Sequence, residues 1–259
     1  MSAPIGRLQF RLTASTVDSF LPTDLTGLQC WVAANLITGL ADGDAVTTWT
    51  DLSGNGNSPT QGTAARRPTY RTAIHNGLPV VRFDGTDDSL GASFTLAVPY
   101  TVFLVTIPRT LPANQYAIDG ITQNTIGVQS LTTDLYAFGD AGFVRTGVLA
   151  VGAFFYYTLI ANGASSATYF NGGTEITGTE GAATGGIRLG SAANDTVFGN
   201  FDIAEVIVYN TALSAANRAS VESYISEKYN RTDARFAFLR SAELLLSKFT
   251  ERRLPGGAL

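Results

Sequence analysis

The chain has 259 residues, 45% of them hydrophobic and only 15% charged, a composition that excludes general disorder and allows a sizeable core. Its formal net charge of -4 and pI near 5.0 exclude the basic patch with which nucleic-acid-binding surfaces hold phosphates. The balance is uneven: residues 1–230 carry 11 basic and 18 acidic side chains, a sum of -7, and residues 231–259 carry 6 and 3, a sum of +3.

The N-terminal segment lacks the uninterrupted apolar run of a secretory signal, and no stretch reaches the roughly 18 apolar residues of a membrane span, so a soluble protein without a cleaved signal is expected. In GRLQFRLT, Leu8, Phe10 and Leu12 alternate with Arg7, Gln9 and Arg11, the pattern of a half-buried or edge strand. From 25 to 210, short apolar runs separated by Gly, Asn and Asp predict an all-β sandwich rather than βαβ units. Cys30 has no partner for an internal disulfide and, beside Trp31, reads as a small buried hydrophobe. Asn76-Gly77, Asp84-Gly85 and Asn171-Gly172-Gly173 tolerate the positive φ of tight turns, which predicts hairpins and antiparallel pairing. His75, in H-N-G, reads as a surface turn residue with no nucleophile beside it and is given no role.

Two runs, YTVFLVTI at 100–107 and AFFYYTLIA at 153–161, are apolar on both alternating faces and predict central strands covered on both sides. The period then changes. Ser214 is placed as an N-cap, and Val221, Tyr224, Ile225 and Tyr229 fall on one face of a helix over about 215–229. A second amphipathic helix is expected beyond it, with Leu239, Ala242, Leu245, Leu246 and Phe249 on its stripe and Pro255-Gly256-Gly257 at its end.

The acidic residues decide between an enzyme and a binding protein. GNFDIAEVIVY places Asp202 and Glu205 in a strand, and paired strand carboxylates are a common device for cutting glycosidic bonds. In a regular strand, positions three apart point to opposite faces, so the two are not expected to converge. Asp42 with Asp44 and Asp87 with Asp88 read as solvated turns. No G-x-S-x-G elbow occurs. No catalytic residue is assigned, and no enzyme is expected.

Three ordered blocks then bear on family. Trp49, Asp51, Ser53, Gly54 and Gly56 form W-x-D-x-S-G-x-G; GLPVVRFDGTDDSL follows; IRLGS and FDIAEVIVYNTALSAANRASVESYISEKYN close the series. Together they resemble the laminin-G-like, or concanavalin A-like, jelly-roll domains of bacterial surface proteins and phages over about residues 25–230. The resemblance implies an antiparallel jelly-roll β-sandwich closed by a terminal helix; with the second helix read from the periodicity beyond 231, the expected class is an all-β antiparallel jelly-roll β-sandwich with C-terminal helices. The resemblance also implies that Glu205 is a structural hydrogen-bond acceptor, since an acid is usual there in non-enzymatic members. Some members hold Ca²⁺ at the sandwich rim, and the D-G-D and D-G-x-D-D loops offer suitable oxygens. No residue is assigned to Ca²⁺, and no other cofactor is expected.

The expected organisation is an N-terminal arm at 1–24, a laminin-G-like domain at 25–230 and a helical extension at 231–259. The expected function is that of a non-enzymatic phage virion structural protein, as a decoration, head-fibre or tail-associated component made in the host cytoplasm and located in the virion. The alternative is a carbohydrate-binding or adhesion module of a bacterial cell surface, with a glycan hydrolase ranked third. Expected partners are copies of itself or other virion proteins, engaged through the arm and the extension, and glycans; nucleic acid and membrane are not. No ligand-binding residue follows from the sequence.

Overall fold

The computed structural model describes residues 20–230 except 112–113, 123–127, 131–134, 138–142 and 146–148. In chain order its strands are β1 (Leu28–Ala33), β2 (Thr69–His75), β3 (Leu78–Arg82), β4 (Leu90–Ser93), β5 (Tyr100–Pro108), β6 (Gln115–Asp119), β7 (Val128–Ser130), β8 (Leu135–Ala137), β9 (Phe143–Arg145), β10 (Phe155–Ala161), β11 (Gly163–Phe170), β12 (Ile176–Glu180), β13 (Gly186–Leu189) and β14 (Phe201–Tyr209). One helix, α1 (Ala215–Tyr229), follows them.

These strands form two antiparallel sheets. The larger has the order β12-β11-β10-β5-β14-β3-β2, with β1 also paired to β14; the smaller has the order β4-β13-β6-β7-β8-β9. The runs predicted to be covered on both faces are β5 and β10, adjacent in the larger sheet and buried at every position. Their inner side chains, including Val102, Leu104, Tyr157 and Leu159, meet Leu90, Ile118, Ile187 and Leu189 of the smaller sheet. On the opposite face of the larger sheet, Phe103, Val105, Ile207 and Tyr209 meet Val221, Ile225 and Tyr229 of α1. The result is three layers, a helix on a sheet on a sheet. Asn76-Gly77 links β2 to β3 and Asn171-Gly172-Gly173 links β11 to β12; the two asparagines and their following glycines take positive φ, as the turns require. Ser214 caps α1 by accepting from Asn217 N at 3.2 Å.

β14 organises the larger sheet. β5 runs along one side of it, while β3 and β1 share the other side in succession, β3 at Asp202 and Ile203 and β1 from Glu205 to Tyr209. That arrangement leaves the far edge of β1 bare, and unpaired strand edges invite unwanted pairing. The W-x-D-x-S-G-x-G loop closes it. Asp51 accepts from Trp31 N (2.9 Å), Ser53 N (2.9 Å) and Asn57 N (2.8 Å), and Leu52 N donates to Trp31 O (2.7 Å). The amides of Asn55 and Asn57 then reach the carbonyls of Leu28 and Gln29, each at 2.8 Å. The motif is therefore a strap that satisfies the edge of β1 with side chains.

Residues 20–24 run against the helix-bearing face of the larger sheet. Tyr209 Oη donates to Pro22 O at 2.9 Å in a buried bond, and Phe20 packs edge-on against Tyr224. The strand expected in GRLQFRLT and the second helix expected beyond 231 lie outside the described residues.

Candidate functional site

The expectation that Asp202 and Glu205 face opposite ways is wrong, and a bulge is the reason. Ile203 pairs with Thr106 of β5 while Glu205 pairs with Val105, so Ala204 is an extra residue on β14. Phe201, Ile203, Val206 and Val208 point into the core between the sheets, whereas Ala204, Ile207 and Tyr209 lie against the helix layer. Asp202 and Glu205 both project to the outer, helix-bearing face.

Sharing a face does not make them a catalytic pair. Glu205 is completely buried beneath α1. Its Oε1 accepts from Trp31 Nε1 (2.6 Å) and Tyr224 Oη (2.8 Å), and its Oε2 from Lys228 Nζ (2.8 Å) and Tyr229 Oη (2.9 Å). Burial, together with the Glu205 charge, pushes both phenols well above their usual range, which keeps them protonated as donors. Asp202 is held by a two-pronged contact from Arg82, Nε to Oδ1 at 2.7 Å and an Nη to Oδ2 at 2.8 Å, with Arg109 3.8 Å away. Each acid is consumed by donors, and a substrate cannot reach Glu205 without displacing the helix. Glu205 is the structural acceptor that the family resemblance implies. The sequence carried one signal of its partners, since Tyr224 and Lys228 are four apart on α1 and share its sheet-facing side.

The remaining singled-out residues are also accounted for. Cys30 is fully buried, with Sγ 3.4 Å from Asn57 O, and burial followed by the nearby Asp51 charge pushes its thiol far upward. We expect thiol reagents to leave it unlabelled in the native protein and to label it fully on denaturation; fast native labelling would show that the β1 strap opens readily. His75 is not a surface turn residue. It ends β2 half-buried, its ring stacked 4.3 Å from Phe154, and desolvation lowers its pKa.

Asp42 and Asp44 lie in exposed turns as expected, Asp42 accepting from Thr72 N at 2.9 Å and so tying down the edge strand β2. Asp88 departs from the expectation. It is 6% exposed, accepts from Asp84 N at 3.0 Å, and is pushed up to about 6 by burial and then by the charge of Asp84. With Asp84 and Asp87 it brings three carboxylate oxygens within 4.8 Å of one another. These are the right donors for a hard cation, and no residue is assigned to one.

An open cleft of about 380 Å³ lies where the turn after β1 faces the strap segment, bordered by Leu36, Ile37, Thr38, Thr48, Trp49 and Thr50. It combines apolar walls with hydroxyls, and no charged side chain lines it.

The architecture is an antiparallel β-sandwich with a helix on its outer face. No family model matches the sequence, and no curated protein is similar to it. The fold is similar to that of domain 4 of AbnA, a GH43 extracellular arabinanase from Geobacillus stearothermophilus in complex with arabinotriose. The identity is 17% over 76% of this chain and 97% of that one, with a TM-score of 0.54. It is also similar to Trypanosoma rangeli sialidase in complex with sialic acid, at 14% identity, 81% and 34% coverage and a TM-score of 0.53. A third likeness is the binding domain of Paraclostridial Mosquitocidal Protein 1, at 12% identity, 80% and 53% coverage and a TM-score of 0.54. The chain spans about a third of the sialidase, so that likeness concerns one part of a larger enzyme.

Proposed function

We propose that this protein is a non-enzymatic carbohydrate-binding module. The observation that carries the reading is the likeness to the arabinanase domain, a sugar-bound unit matched over 97% of its length. The consumption of Asp202 and Glu205 by fixed partners supports a binding role over hydrolysis, because glycosidic cleavage needs one carboxyl as acid and another as base or nucleophile at the same bond. The named likenesses favour this alternative over the virion role, which rests on features of the sequence alone.

The purified chain is expected to bind at least one glycan saturably on an array and by calorimetry, and to release no reducing sugar from the glycans it binds. A chain that binds no glycan at millimolar concentration, or one that cleaves its ligand, refutes the reading.

A further inference from the structure

We propose that the cleft beside Trp49 is the glycan site, and that it takes one or two rings of a neutral sugar; this rests on the carbohydrate-binding reading above. A sugar ring presents an apolar C–H face and a circumference of hydroxyls. Its site therefore needs apolar surface together with uncharged groups that both donate and accept. The cleft supplies both. Leu36, 48% exposed in spite of its size, forms an apolar wall with Ile37. Thr38, Thr47, Thr48 and Thr50 are all exposed around it, four hydroxyls able to work in either direction. Its volume of about 380 Å³ falls within the roughly 300–1,000 Å³ of small-ligand sites.

Charge narrows the ligand class. No lining residue is a cation, so a carboxylated sugar would have to surrender water around its charge with nothing to replace it. A neutral pentose or hexose has no such penalty. The likeness to a sialic-acid-bound enzyme is thus not a guide to this cleft.

The indole of Trp49 supplies an independent observation. The residue is 1% exposed, lines the cleft, and packs into the core between the sheets, yet its Nε1–H is buried without a hydrogen-bond partner. Most buried donors in native proteins are paired, and an unpaired one calls for a reason. Because Trp49 lines the cleft, a sugar seated there changes the surroundings of this indole. The walls are also fastened before any ligand arrives: Ile37 N donates to Ala34 O (3.2 Å), Trp49 N to Pro59 O (2.9 Å) and Leu52 N to Trp31 O (2.7 Å). A prebuilt site loses little ordering entropy on binding.

Two tryptophans give two indole N–H signals in a ¹H–¹⁵N spectrum, assignable through their own ring-to-backbone contacts. Titration with arabinotriose, and with each neutral oligosaccharide retained on the array, is expected to move the Trp49 signal saturably. The Trp31 signal, pinned by Glu205 at 2.6 Å, should stay in place. Leu36→Asp and Thr48→Arg change exposed positions, so both should keep the wild-type Tm while weakening binding at least tenfold; if Leu36→Asp disturbs folding, Thr48→Arg carries the test. A glycan that binds the wild type without moving Trp49, or binds a folded variant unweakened, places the site elsewhere and leaves the carbohydrate-binding reading standing. A clear preference for acidic glycans overturns the neutral class. Failure of every glycan to bind removes this inference together with that reading.

Discussion

Glu205→Ala is expected to destabilise the protein by about 3–5 kcal/mol, the usual cost of removing one partner from a buried charged cluster. The substitution leaves Lys228, whose side chain is only 14% exposed, without its carboxylate, strands Trp31 Nε1 between β14 and α1, and leaves the Tyr229 hydroxyl only the long contact to Ala204 O at 3.4 Å. Glu205→Gln keeps the volume and one acceptor oxygen but turns an amide toward donors, and about 1–3 kcal/mol is expected for it. Urea denaturation followed by circular dichroism measures both, and the Ala variant should lower Tm by on the order of 10 °C. A loss below about 1 kcal/mol for Ala would mean that water already reaches the cluster. Neither variant should alter glycan binding when measured well below its own Tm, because the carboxylate is sealed under the helix.

The second large effect is expected at Asp51. This carboxylate is the knot of the strap: it takes the amide hydrogens of Trp31, Ser53 and Asn57, and Ser53 Oγ lies 2.8 Å from its Oδ2. Asp51→Ala leaves those donors part-buried and unpaired, at about 1–3 kcal/mol for each one that water does not rescue, so a total of about 2–4 kcal/mol is anticipated. The more telling readout is association. With the strap loosened, the outer edge of β1 is free to pair with another chain, and the variant should form soluble aggregates well below its melting temperature. Asp51→Asn, which retains one acceptor oxygen, should show an intermediate loss. A monomeric Asp51→Ala variant with wild-type stability would show that the glycines and asparagines of the loop hold it without the acid.

Much of the fold was legible in the sequence. YTVFLVTI and AFFYYTLIA announce strands buried on both faces, and they became adjacent central strands between a helix and a second sheet. The asparagine-glycine turns and the Ser214 cap are local chemistry and survived unchanged. What failed depended on contacts between distant segments. The facing of Glu205 could not be counted from Asp202, because the bulge at Ala204 occurs where β14 passes from pairing with β3 to pairing with β1. Asp88 sits in a turn of polar residues, but Ser89 and Leu90 carry the chain straight into the core and take it with them. His75 looked like a loop residue until Phe154, far along the chain, supplied a ring to stack on. The cleft was invisible for a different reason: its walls, 33–40 and 45–52, are joined by the short turn at 41–44 and carry no periodic pattern that marks a concave surface.

Ala204 also changes how positions along this part of the chain are to be compared. Sequence distance and sheet distance run as two separate coordinates through β14, in step up to Ile203 and offset by one from Glu205 onward. A D-x-x-E spacing here is spatially equivalent to D-x-E in an unbroken strand, so pattern searches that count fixed intervals misplace one of the two acids. A related chain that lacks the bulge, aligned without a gap at 204, would have its helix-facing and core-facing residues exchanged over half the strand. Ladder partners, rather than residue numbers, are the ruler by which these positions can be matched.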